Sequence, residues 1–264
     1  MFLRILCVIL AFSGVTFATP RLISLSPAST EILFALGSGP EIVGVTTACN
    51  FPEEAKKCPK IGAFFSPQTE KILSLSPTRI IGIADHLNLA QNQLKQLGIP
   101  VTIYPTAKSI QDVYRLIAHI GALTNKQTQA QNLIQSCQNQ VAQLTKKNKH
   151  RPTVAVILWA EPLLVVGRPT FISDILALSG AQNCVETTLE YPKLSIEALL
   201  KLNPDYLILT NPQLTDQILN SPRFSSLKAV QSHHLITTLN PDLLLRPGPR
   251  FPQAIAELEK QWAQ

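Results

Sequence analysis

Arg246 and Arg250 bracket the phrase "RPGPR", a turn that leads into the last helix with Pro252 near that helix's first turn. On a solvated turn they would be two surface charges. Facing a cleft, a guanidinium binds a carboxylate or a phosphate, so the same turn could hold an anionic ligand. Covalent chemistry has fewer footholds. The chain carries no G-x-S-x-G elbow, Walker loop, H-E-x-x-H pair or dinucleotide glycine pattern, and the one apparent motif, "SPASTE", lacks a partner base at any predictable place. His86, His119, His150, His233 and His234 are scattered rather than grouped for a metal. An iron-bearing ligand would want a Tyr or His, and His86 in "ADHLN" is the position to test. The expectation is a binding protein, not an enzyme, with no cofactor of its own.

Cysteine chemistry depends on the compartment, and the N-terminus addresses that. Arg4 is the only charge in the first eighteen residues, "ILCVILAFSGV" is apolar but too short to span a bilayer, and "TFA" offers small residues before Thr19. Residues 1–18 therefore read as a cleaved secretory signal, and Cys7 lacks the small-residue context of a lipoprotein site. Removing them takes the formal charge from +6 to +5, scattered and not interleaved with aromatic residues, which argues against nucleic acid as a partner. In an oxidising compartment the remaining Cys49, Cys58, Cys137 and Cys184 suggest bridges. Cys49 and Cys58 flank "NFPEEAKK", and closing that short loop would stabilise by roughly 2–3 kcal/mol. Cys137 and Cys184 pair only by elimination. Zinc would want C-x-x-C spacing, which is missing.

The elements that must position these groups are written twice. "TEKILSLSPTRIIGI" (69–83) returns as "IEALLKLNPDYLILT" (196–210), sharing Glu70 with Glu197, Leu73 with Leu200, Leu75 with Leu202, Pro77 with Pro204 and Ile81 with Ile208. Each copy predicts a short helix opening on the glutamate, ended before a proline, then an apolar strand. Upstream of each lies another echo, "STEILFALGSG" and "FISDILALSGA", both closing on glycine. Two related αβ lobes follow, within what 264 residues of 45% hydrophobic content can bury.

Between the copies, a capping box at Ser109 and Asp112 starts a helix, and a second start follows at Thr124 with Gln127. Ala130, Leu133, Ile134, Cys137, Val141 and Leu144 then fall at helical spacing up to a basic end, "KKNKHRP". The stretch predicts one long amphipathic helix, a strut between the lobes.

"PRLISLSPASTEILFALG", "TEKILSLSP", the mid-chain helix, "SIEALLKLNPDYLIL" and "DLLLRPGPR" together resemble the periplasmic cobalamin-binding proteins of ABC importers, within the wider group that binds vitamin B12, ferric siderophores and haem. The resemblance covers nearly all of the mature chain. It implies an α/β fold of two lobes with central, mainly parallel sheets, joined by a single long rigid α-helix, with the ligand cleft between them. The expected boundaries are 1–18 for the signal, 19–108 for the N-terminal lobe, 109–149 for the interlobe helix and 150–264 for the C-terminal lobe.

By motif position the resemblance places Phe51, Phe64 and Tyr191 as aromatic ligand contacts and Asp242 and Arg246 as a polar cluster at the ring edge. Phe64 and Tyr191 stand where tryptophan is usual and Phe51 where tyrosine is usual, so stacking survives and hydrogen bonds from indole or phenol do not. Trp159, at the end of a predicted strand, could supply a further aromatic surface. Glu70 and Glu197 match the one glutamate per lobe that docks on the two permease subunits. The implied partners are cobalamin and an ABC importer permease dimer, for a periplasmic protein that is monomeric when free.

Overall fold

The computed structural model describes residues 19–83, 92, 94–96, 98–144 and 151–262. The first lobe is built from β1 (Leu22–Ser24), α1 (Pro27–Ala35), β2 (Ile42–Val45), α2 (Glu53–Lys57), β3 (Gly62–Ala63), β4 (Ser66–Pro67), α3 (Thr69–Ser74), β5 (Arg79–Ile83) and β6 (Val101–Tyr104). Its parallel sheet runs in the order β2-β1-β5-β6, while β3 and β4 form a separate antiparallel hairpin. The connector holds α4 (Ile110–Leu123) and α5 (Gln127–Leu144). The second lobe follows with β7 (Thr153–Ala160), β8 (Leu163–Val165), α6 (Phe171–Leu178), β9 (Gln182–Asn183), α7 (Ile196–Leu202), β10 (Tyr206–Leu209), α8 (Pro212–Leu219), α9 (Lys228–Gln231), β11 (Leu235–Ile236), α10 (Pro241–Leu245) and α11 (Phe251–Trp262). Its sheet runs β11-β10-β7-β8, with β9 also on β7; all pairings are parallel except β7 with β8.

The repeated phrase becomes α3–β5 in one lobe and α7–β10 in the other, and both strands sit between two neighbours in their sheets. The prolines end the helices in the same way. Ser76 before Pro77 and Asn203 before Pro204 take φ of 44° and 41°, since proline disfavours the right-handed helical region for the residue ahead of it. The upstream echo is α1 and α6: the side chains of Ser26 and Thr170 accept from the N–H of Ser29 and Ser173, and Gly37 and Gly180 follow at φ of 81° and 87°.

The strands are apolar on both faces, and alternation sends each face to a different core. Val154, Val156, Ile208, Ile81 and Ile83 face inward to one cluster shared by both lobes. Ala155, Ile157, Leu207 and Leu209 face a second cluster confined to the C-terminal lobe, and Ile23 and Ile80 a third in the N-terminal lobe. The shared cluster runs through Val113, Leu116, Ile117 and Ile120 of α4, at helical spacing, to Phe171 of α6 and Phe251 and Ile255 of α11. Phe251 makes edge contacts with both Tyr114 and Phe171. A packed apolar interior between the lobes resists hinge motion, because separating them would expose it.

The connector, expected as one helix, is a pair. At Thr124–Lys126 the chain turns: Asn125 takes φ 57°, the Thr124 hydroxyl donates to Ile120 O, and Lys126 N–H donates to Gly121 O at 2.7 Å. Asparagine tolerates that left-handed conformation, and Gly121 lets α5 approach so closely that a Cβ there would lie 2.5 Å from Ala130 Cβ. The Ser109–Asp112 cap forms as expected, with Asp112 N–H donating to Ser109 Oγ at 3.1 Å. From the turn α5 runs 18 residues, about 27 Å, against α11.

Candidate functional site

A cavity of about 250 Å³ opens between the lobes. Ser26, Pro27 and Ala28 at the start of α1, Ile83 at the end of β5 and Thr106 after β6 line it from one side, and Leu245, Arg246 and Pro247 from the other. These positions lie just beyond the carboxyl ends of parallel strands, where open α/β sheets leave a crevice. The β3–β4 turn carries Phe64 and Phe65 into the same wall, their rings 4.9 Å apart at 63°. Two residues per strand leave the hairpin room only for a tight turn, so both rings are held at its tip; Phe65 is 77% exposed. Phe65 was not anticipated, although "GAFFS" offered it beside Phe64.

Arg246 ends α10 and is only 12% exposed. Its Nη1 donates to Asn50 Oδ1 at 2.7 Å and to Glu31 Oε1 at 3.1 Å, its Nη2 donates to Ala48 O at 3.3 Å, and Nη2 lies 2.9 Å from Asp242 Oδ2 in an ion pair. Glu31, on α1 and 2% exposed, takes a two-pronged bond from Arg250: Nε to Oε2 at 2.8 Å and Nη2 to Oε1 at 2.7 Å. A carboxylate buried so deeply is tolerable only when paired and hydrogen-bonded, and here two guanidiniums from the other lobe supply that. Asp242 and Arg246 thus stand side by side at the cleft, paired at 2.9 Å. Glu31, which joins the lobes, was legible only as part of "SPASTE".

Phe51 stands apart from Phe64. It lines a second, larger cavity of about 730 Å³ with Phe34, Pro40, Pro52, Pro249 and Arg250, and its ring lies 3.8 Å below the Arg250 guanidinium. Glu31 lines this cavity and Arg246 the cleft, so the ion-pair cluster forms the partition between the two. Trp159, at the end of β7, is 57% exposed, lines neither cavity and donates its indole N–H to Glu161 O at 2.8 Å. Tyr191 lies partly exposed beside Glu190, which pairs with Lys108 across the lobes at 2.6 Å. Burial and the Glu190 carboxylate push the Tyr191 phenol up, against the opposing pull of Lys108.

Glu70 and Glu197 are exposed at the second position of α3 and α7, the same place in each repeat. The Glu197 carboxylate is held below its usual range by hydrogen bonds from its own N–H and from Ser195. Each follows an aromatic candidate by six residues, Phe64 to Glu70 and Tyr191 to Glu197, a spacing the sequence comparison could have used.

The expected bridge between Cys49 and Cys58 is not formed, and all four described cysteines are free thiols. Cys49 is buried against the Thr30 and Thr46 hydroxyls at 3.1 and 3.2 Å, while Cys58 donates to Glu54 O at the end of α2. Cys137 packs in the shared core and Cys184 in the C-terminal one, which separates that pair as well. Burial pushes both of these thiols up to about 11. Among the described residues no three metal-ligating side chains gather, and His119 and His234 stack on Tyr104 and Tyr206. His86, His150 and residues 1–18, expected as the secretory signal, lie outside the described residues.

Two αβ lobes on a shared core, with an aromatic and cationic cleft between them, define a two-lobed ligand-binding protein. The chain belongs to the Periplasmic binding protein family, whose sequence pattern matches residues 22–241. It is 30% identical over 247 residues to an ABC transporter substrate-binding lipoprotein of Bacillus subtilis, YvrC, covering 90% of this chain and 78% of that one. It is 27% identical over 256 residues to the vitamin B12-binding protein of Vibrio parahaemolyticus, covering 94% and 92%. Among solved structures, the periplasmic heme-binding protein RhuT from Roseiflexus superposes with a TM-score of 0.84 at 26% identity, covering 93% of this chain and 98% of that one. The chain is therefore the substrate-binding protein of an ABC importer, a class that binds and hands over its substrate rather than transforming it.

Proposed function

We propose that this protein captures a corrinoid in the interlobe cleft and delivers it to the permease of an ABC importer outside the cytoplasmic membrane, after export through residues 1–18. The observation that carries the reading is the pairing of the Phe64–Phe65 hairpin tip with a fixed guanidinium on the facing lobe. A corrin presents broad apolar faces and amide-bearing edges, which suit ring surfaces and a few oriented polar groups. The relatives named for vitamin B12 add support through the length over which they align. Tyr191 and Asp242 contribute at the rim in this reading, and Glu70 and Glu197 meet the two permease subunits as an equivalent pair of acids.

Calorimetric titration of the ligand-free mature protein with cyanocobalamin, haemin and a ferric siderophore tests the ligand. Submicromolar binding of cyanocobalamin alone is the expected result; binding of haemin or the siderophore alone would move the protein to iron uptake. That second reading draws on the likeness to the heme-binding structure. Docking has a separate test: Glu70→Lys with Glu197→Lys should abolish uptake with ligand affinity unchanged, and a loss of affinity would refute a pure docking role.

A further inference from the structure

Arg246 enters the cleft from the C-terminal lobe, yet most of what orients it belongs to the other lobe. Glu31 on α1 and Ala48 and Asn50 after β2 supply its three hydrogen-bond acceptors, and Asp242, the ion-pair partner, lies on its own helix. Among the described residues its two Nη atoms make three hydrogen bonds, to Glu31, Asn50 and Ala48, and Nη2 is further engaged by the ion pair with Asp242. Its Nε–H has no protein acceptor among the described residues and is the donor left for a ligand.

We propose that Glu31 and Asn50 are positioning residues of the ligand site, which hold the Arg246 guanidinium across the lobe interface so that its single Nε–H points to the ligand. A fork already spent on protein cannot grip a second carboxylate with two parallel bonds. The site then selects a single oxygen acceptor, such as a side-chain amide carbonyl, over a bidentate carboxylate. This deepens the corrinoid reading and rests on it for the choice of probe. The orientation itself does not depend on that choice, because every contact that sets it lies within the protein.

The experiment has one arm with ligand and one without. Cyanocobalamin is titrated into the wild-type protein, Asn50→Ala, Glu31→Gln, Arg246→Ala and the double variant Asn50→Ala/Arg246→Ala, and amide hydrogen exchange across residues 241–251 is followed in the ligand-free proteins. Asn50→Ala and Glu31→Gln should each weaken binding about five-fold or more, with faster exchange at 241–251. The double variant should bind no more weakly than Arg246→Ala alone, since a residue acting only through Arg246 has nothing left to orient. Equal weakening by Asn50→Ala with and without Arg246, unchanged binding, or unchanged exchange would overturn the proposal. Should Glu31→Gln not fold, Asn50→Ala decides, because Asn50 is exposed. Should the wild-type protein not bind cyanocobalamin, the corrinoid reading falls and exchange alone judges the positioning.

Discussion

Replacing Arg250 with methionine isolates what the buried ion pairs contribute. The methionine stem can still cover the Phe51 ring, but Glu31 loses both bonds from Arg250 and, among the described residues, keeps only the 3.1 Å contact with Arg246. Breaking a buried pair costs about 3–5 kcal/mol, mostly from the uncompensated charge that remains; the low end applies because one guanidinium stays. For a chain of this size each kcal/mol moves Tm by about 2–4 °C, so the melting temperature should drop by about 6–12 °C. Lys56→Met provides the contrast: its pair with Glu53 at 2.7 Å is exposed on both sides, and the loss should stay below about 1 kcal/mol. Scanning calorimetry and urea midpoints, with m checked for constancy, measure both variants. An Arg250→Met loss no larger than that of Lys56→Met would show that Glu31 is solvated, and the argument for a buried interlobe cluster would fail.

At the α4–α5 crossing, Gly121→Ala would place a Cβ 2.5 Å from Ala130 Cβ and 3.1 Å from Lys126 O, and should cost about 1–3 kcal/mol in a urea melt; a neutral result would mean the helices are not in contact there. Burial opposes ionisation of Asp205, but Lys228 and the Thr153 N–H and hydroxyl outweigh it and hold its carboxyl at about 2. A depressed folded value stabilises above the unfolded one and is lost as pH falls, so Asp205→Asn should be about 1 kcal/mol less stable at neutral pH, after discounting for screening, with the gap closing between about pH 4 and pH 2. A gap constant down to pH 2 would contradict the assignment. Alkylation without reductant should modify all of Cys49, Cys58, Cys137 and Cys184 in denatured protein, and Cys58 first in native protein because it alone is not buried; a mass short by two hydrogens would restore the bridge.

The repeat, the caps and the helix ends were legible in the sequence because each depends on neighbours a few residues away. Ser109 caps through the Asp112 N–H three positions on, and Pro77 and Pro204 act on the residue directly before them. The apolar run "YLIL" likewise announced a strand, and the continuous burial along it shows that both faces are covered. The connector was half legible: both helix starts were visible, but nothing local showed that Asn125 would turn the chain, because the crossing is set by Gly121 meeting Ala130.

What the tertiary structure alone decided was who meets whom. Phe51 and Phe64 looked equivalent by motif, yet a wall of ion pairs divides them between two cavities. Cys49 and Cys58 were close in sequence and apart in role, since one faces the threonines of the core and the other the end of α2. Glu31 and Arg250 stand 219 residues apart, and only the packing of α1 against the α10–α11 turn makes them partners. Local sterics write the elements into the sequence, whereas a buried charge finds its counter-charge through the burial itself, which exists only once the lobes have closed on a common core.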